Sequence, residues 1–197
     1  SGIFDSSNMD IKKLSNSVLN FTINRLIEIT GIIILIISVL LFLALISYSP
    51  LDPNFLFPNN TQIKNLLGIH GSYTADLFLQ SFGIISYLIP ITYFFTGINI
   101  FKRKEIFLLL DNTFFVIIYS LVGSLFFNFF YVDIFSLYIN GSGGFIGVYI
   151  NDFFLKNIIS SNENIFYYLF CFLIIFFFSI SINLNSKNFI LFFKNIF

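Results

Sequence analysis

Four long apolar blocks, almost free of charge, divide this chain, and each is long enough to cross a lipid bilayer. The hydrocarbon core is about 30 Å thick and a helix rises about 1.5 Å per residue, so about 20 residues suffice. The blocks cover about 27–48, 77–100, 110–132 and 164–184. Lipid offers no partner to a backbone N–H or C=O, so each block is predicted to be a helix. Charged residues make up only 10% of the chain, against about a quarter in a soluble domain, which excludes a single water-soluble core. The expected fold is all-α: an integral membrane four-helix transmembrane bundle.

The cationic residues set an orientation. Four spans place the N-terminus, the second loop and the C-terminus on one side, with Lys12, Lys13, Arg25, Lys102, Arg103, Lys104, Lys187 and Lys194. Only Lys64 and Lys156 fall on the other. Lys and Arg collect on the cytoplasmic side, so both termini are expected there. Three domains follow: a cytoplasmic segment 1–26, the four-helix membrane domain 27–186, and the start of a cytoplasmic linker at 187–197. Within the first, Leu14, Val18 and Phe21 are spaced as an apolar face, with Lys12, Lys13 and Arg25 in reach of headgroups. That stretch reads as an interfacial amphipathic helix, or equally as an extension of the first span. The chain opens on Ser1 rather than Met, which leaves Met9 as an alternative start. The first block is too long for the apolar core of a cleavable signal.

Residues 134–151 are also uncharged, but Asn140-Gly141-Ser142-Gly143-Gly144 at their centre favours a turn. They read as a surface or re-entrant segment leading to a short amphipathic helix near 145–159, with a fifth span as the alternative. The first span exits through Ser47-Tyr48-Ser49-Pro50-Leu51-Asp52-Pro53, where each proline blocks continuation of the helix. Tyr48 suits the headgroup level in a chain that has no Trp. Before the second span, Ser72 or Thr74 is predicted to cap the helix and Asp76 to lie in its first turn. Pro90 is predicted to kink that span.

No chemistry-bearing set emerges from the rest. His70 and Cys171 are single, no His, Cys and carboxylate residues have metal-ligand spacing, and no Gly-x-x-x-x-Gly-Lys-Ser/Thr occurs. No catalytic residue, cofactor or metal is expected. Proton and ion pathways need ionisable residues at mid-membrane, and Glu28, Asp76 and Asp111 lie near block ends. Polar residues inside the blocks are few beyond Asn99, Asn128 and scattered Ser and Thr, which disfavours a small transport or channel subunit.

Taken in order, the motifs resemble the N-terminal four-helix membrane domain of the FtsK/SpoIIIE family of bacterial DNA translocases. The resemblance rests on Ser47, Tyr48, Ser49, Pro50, Asp52 and Pro53, then on Asn65, Gly68 and Gly71. It continues through Ala75, Asp76, Leu77, Phe82, Gly83 and Pro90 to Gly143, Gly144 and Gly147, covering roughly residues 25–185. Ser72 stands where the family often has Ala, and the helices are unusually rich in Phe and Ile. The resemblance implies a non-catalytic anchor in the bacterial inner membrane for a hexameric, ATP-driven DNA motor. That motor acts in cell division and chromosome segregation at the septum. It further implies contacts with other division proteins through outer loops or helix faces, self-association, and no direct nucleic acid contact by these residues. A free-standing membrane division protein without a motor is the remaining alternative.

Overall fold

The computed structural model describes residues 2–54, 62–132, 134, 140–152 and 156–183. They form α1 (Gly2–Ile46), α2 (Gly68–Phe82), a tight 3₁₀ turn (Gly83–Tyr87) and α3 (Leu88–Arg103). Then come α4 (Leu108–Phe130), α5 (Gly144–Ile150), α6 (Lys156–Ser161) and α7 (Glu163–Ser181). No strand occurs among the described residues. Four segments are long and apolar enough to cross a membrane: 15–46, 68–103, 108–130 and 163–181. The second is α2, the 3₁₀ turn and α3 in series. Each corresponds to one apolar block of the sequence.

Two local expectations change. The second span opens at Gly68 rather than near Leu77, and Leu67 precedes it without a side-chain cap. Asp76 therefore lies in the middle of α2, Thr74 bonds back to the His70 carbonyl at 2.8 Å, and Ser72 reaches the Pro53 carbonyl at 2.7 Å. The cause is tertiary: the carbonyl of Pro53, in the loop after α1, takes the Ser72 hydroxyl, and Ser72 and Thr74 both lie inside the helix rather than at its start. The interruption of the second span also falls at Gly83, not at Pro90. Pro90 sits in the first turn of α3, where its missing N–H removes no helical bond. Of the two readings of the N-terminal stretch, the structure shows the extension: α1 runs unbroken through 2–26 into the first span. The side chains of Lys12 and Lys13 lie outside the described residues, as do Lys187, Lys194, the linker at 187–197 and the end of the fourth block at residue 184. The helix expected near 145–159 is seen as α5 and α6, with residues 153–155 between them outside the described set.

Packing is pairwise. α1 lies along α3, α4 along α7, and α5 lies on α4 and α2. α1 and α3 cross at Gly31 and Gly97, where a Cβ on Gly97 would stand 2.7 Å from the Gly31 carbonyl oxygen. Small residues at such a crossing let two backbones touch, which matters in lipid because apolar side chains gain nothing by leaving it. The core has three clusters: Ala44, Leu45, Ala75 and Leu79 at one end, Ile85, Ile89, Val116 and Tyr119 in the middle, and Leu125, Phe126, Ile159 and Phe170 between α4 and α7. The flanks stay apolar, with Ile33, Ile37, Phe114 and Ile117 exposed. At the α3–α4 loop, Glu28 pairs with Arg25 and with Lys104 at 3.1 Å, tying α1 to the end of α3.

Candidate functional site

The family-motif residues from Ser47 to Asp76 gather at the α1–α2 loop end, where the chain leaves α1 and enters α2, and Phe82 and Gly83 lie at the far end of α2. α1 ends at Ile46 with carbonyls that have no helical partner. The Asn65 side-chain amide donates to one of these, Ala44, at 2.9 Å. The Leu45 carbonyl takes the Tyr48 N–H in a tight final turn and the Tyr87 hydroxyl as well, both at 3.3 Å. Asp52 is only 3% exposed and its two carboxylate oxygens accept the backbone N–H groups of Lys64 at 2.9 Å and Asn65 at 2.8 Å. This carboxylate holds Lys64 and Asn65 against the exit of α1 by charge-assisted bonds, which are stronger than neutral ones. The Ser47 hydroxyl accepts Leu66 N–H at 3.1 Å, and Asn65 Oδ1 accepts Leu67 N–H at 3.1 Å. Pro53 contributes its carbonyl to Ser72. Pro50 and Ser49 form the turn between, with Ser49 accepting the Asp52 N–H through its carbonyl.

Gly68 opens α2 with a left-handed φ of 65°. Gly71 faces Asn65, and a Cβ there would collide with the Asn65 side-chain oxygen and stand 2.6 Å from Leu67 Cβ. The spacing Asn-x-x-Gly-x-x-Gly is thereby explained: the asparagine crosses to α1 only because the second glycine leaves room for it. Ala75 is fully buried beside Ala44 and Leu45. Lys64, at the loop's edge, is exposed, and so is His70.

A second chain of bonds runs from this junction along the bundle. The Tyr48 hydroxyl donates to Asp76 Oδ1 at 3.0 Å. Burial, reinforced by the Asp76 charge, pushes the Tyr48 phenol above its ordinary pKa. Gln80 lies on the Asp76 carboxylate, and Asn140 Nδ2 donates to Gln80 Oε1 at 3.3 Å. The path ends at the break in the second span. There Gly83 has a φ of 71°, and a Cβ would collide with the Ser142 carbonyl. That carbonyl accepts the Ile84 N–H at 2.9 Å, a donor that the break leaves without a helical partner. Phe82 offers its carbonyl to Ser124 Oγ at 2.9 Å. Gly143 and Gly147 both abut the Ser124 carbonyl and Asn128, and Gly144 abuts Gly83 and Ser81. The Gly-Gly-x-x-Gly motif and the Phe-Gly motif are thus two halves of one contact.

Pro90 takes no part in either set, and the topology-setting residues Arg25, Lys102, Arg103 and Lys104 gather at the opposite end. There Lys102 and Arg103 are exposed in the last turn of α3.

One polar set was not legible in the sequence. Thr92, Tyr119 and Ser181, from α3, α4 and α7, meet at 3.0 and 3.1 Å and are fully buried. Asn112 donates to Thr96 at 2.8 Å and accepts from Asn183 at 3.1 Å. Their only sequence signal is a polar residue every four positions on α3, Thr92 and Thr96, which marks one helix face. These side chains bond to one another. The groove between α1 and α2, about 450 Å³, is lined mostly by apolar side chains such as Ile37, Leu41, Leu67 and Phe78. Among the described residues no three His, Cys, Asp or Glu side chains come together. The geometry builds a membrane body whose polar contacts hold one helix or loop to another.

Comparison with known proteins bears on what that body belongs to. The family model described as the 4TM region of DNA translocase FtsK/SpoIIIE matches residues 24–189. The DNA translocase FtsK of Shewanella oneidensis is 35% identical over 104 residues, 52% of this chain and 11% of that protein. The DNA translocase FtsK of Rickettsia bellii is 35% identical over 77 residues, 39% of this chain and 10% of that protein. That of Rickettsia prowazekii is 34% identical over 82 residues, 40% and 11% respectively. The matched stretches thus span about a tenth of the length of these relatives. No solved structure matches the chain.

Proposed function

This chain belongs to the FtsK/SpoIIIE four-transmembrane family, and from that premise we propose that it is the membrane anchor of a DNA translocase. In this reading it is non-catalytic, sits in the bacterial inner membrane with both ends in the cytoplasm, and holds a motor at the division septum during chromosome segregation. The observation that carries the proposal is the clustering of cations at one end of an even-numbered bundle. Arg25 and Lys104 share Glu28 at the α3–α4 loop, with Lys102 and Arg103 beside them. Lys64, in contrast, lies in the loop at the opposite end. A cytoplasmic α3–α4 end carries both termini to the side where DNA and ATP are found. Other division proteins are then met by the α1–α2 loop, the α5–α6 region or the helix faces, and the family's hexameric motor supplies a reason for self-association. The mutual pairing of Thr92, Tyr119, Ser181, Asn112 and Thr96 favours an anchor over a transport subunit.

The test is a pair of C-terminal reporters on the chain expressed in bacteria. A fluorescent protein that matures only in the cytoplasm should be bright and gather at division sites. Alkaline phosphatase, active only in the periplasm, should be silent. Active phosphatase would overturn the orientation and the anchor with it. An even distribution around the cell would remove the septal role.

A further inference from the structure

α5 sits deeper than a surface loop. Its glycines close onto Ser124, which lies six residues before the end of α4 at Phe130, about 9 Å along the axis. From the other end of α4, at Leu108, Ser124 is sixteen residues or about 24 Å away. With about 30 Å of hydrocarbon to cross, the level of Ser124 lies inside the bilayer whichever end of α4 is taken as the reference. Residues 134–150 carry no charge that would resist such a position.

Non-helical backbone at that depth has to be covered by protein and have its polar groups paired. Among the described residues, three carbonyls of this stretch are paired: that of Ser142 takes Ile84 N–H, that of Gly141 takes Gly144 N–H, and that of Gly143 takes Gly147 N–H. Ser142, Gly143, Gly144 and Gly147 are buried against α2 and α4. The opposite face of α5 is another matter. Phe145 and Tyr149, one turn apart, are 57% and 62% exposed, with their rings stacked at 6.1 Å. At the same end, the Tyr131 and Tyr167 hydroxyls meet at 2.8 Å, and Ile165 and Tyr168 are exposed in the first turns of α7.

We propose that α5 is a re-entrant half-helix inserted into the leaflet on the α1–α2 loop side, with Phe145 and Tyr149 packed against lipid acyl chains. Lipid is the occupant that the depth of Ser124 and the lack of charge select. Phe145 then faces chains, and Tyr149, nearer the return to Asp152, brings its hydroxyl toward the headgroups. One leaflet therefore accommodates more protein than the other. This inference depends on the four-span fold and not on any motor.

The chain has no Trp, so a single introduced indole reports one position without background. Phe145→Trp and, separately, Tyr149→Trp are made in the full chain, which is reconstituted in phosphatidylcholine vesicles and checked for unchanged helical circular dichroism. Both indoles should emit at short wavelength and lose intensity when the lipid is brominated on its acyl chains. Aqueous iodide should leave the indole of Phe145→Trp nearly unquenched and quench that of Tyr149→Trp somewhat more. Long-wavelength emission quenched by iodide would place α5 in water and overturn the insertion. Short-wavelength emission indifferent to both quenchers would mean that protein covers this face, a second copy included, and would overturn the lipid contact.

Discussion

At the α1–α2 loop end, Asp52, Asn65 and Ser72 bond to backbone groups, whereas inside the helices Thr92, Tyr119 and Ser181 bond to one another. The difference follows from what each place lacks. Loop backbone has left its helix and needs partners, so side chains there replace missing backbone bonds, and one carboxylate satisfies two donors. Helical backbone N–H groups in the spans are already paired, so polar side chains there bond across helices to one another or back to a carbonyl of their own turn, as Thr96 does to Thr92 and Ser181 to Phe178. The first arrangement holds a loop that would otherwise come apart. The second aligns α3, α4 and α7, each of which stays helical without it. The junction should therefore carry more stability per residue than the buried network, although the network is farther from water.

The largest effect is expected for Asp52→Ala, which leaves the Lys64 and Asn65 N–H groups unbonded. It should cost about 2–3 kcal/mol, since hydrogen bonds to a charged group contribute about 1.5–3 kcal/mol. Unfolding of the reconstituted chain with increasing sodium dodecyl sulfate, followed by circular dichroism, measures it. A loss no greater than that from a network mutant would erase the contrast.

Next comes Tyr48→Phe, at about 1 kcal/mol, with a pH signature. The Tyr48 phenol must keep its proton to donate to Asp76, and its folded pKa is raised above the ordinary 10.0. Its contribution is fully present below about pH 10 and is lost as pH climbs from there toward the folded pKa. The parent should thus weaken more steeply above pH 10 than Tyr48→Phe. Parallel pH curves for the two would separate this bond from the junction's stability.

The smallest effect should be in the network. Thr92→Val keeps the shape of the side chain and removes bonds to Tyr119 and Ser181. It should cost about 0.6 kcal/mol and at most about 1.7 kcal/mol, because unfolded chains in membranes also find polar partners. Ser120, one residue from Tyr119, supplies a control of opposite sign. Its hydroxyl is buried without a partner, so Ser120→Ala should be neutral or slightly stabilising. Equal losses from both substitutions would mean that packing, and not hydrogen bonding, sets the cost.

The two regions also differ in how far they could be read before the structure. Asp52, Asn65, Gly71, Gly83 and the glycines at 143, 144 and 147 stand in short motifs, and their order along the chain marks them. Thr92, Thr96, Asn112, Tyr119 and Ser181 come from three separate helices and look alike in sequence to any scattered Ser or Thr. Which motif residue meets which was not legible either. The contacts of Asn65 with Ala44 and of Gly83 with Ser142 cross 21 and 59 positions of chain, and no local signal spans them. The misplaced start of α2 has the same origin, since Ser72 and Asp76 find partners in the preceding loop.

By itself, the sequence determined that this chain makes four membrane helices. The reason is local: about 20 apolar residues in lipid can satisfy their own backbone only as a helix. It also determined the asymmetry of charge between the two ends, which is a property of composition. Only the tertiary structure decided where the second span breaks, that α5 seats against that break, and that α1 and α3 touch at Gly31 and Gly97. Lipid does not tell one apolar face from another. The choice among faces falls to small residues that let backbones meet and to polar side chains whose partners lie far along the chain.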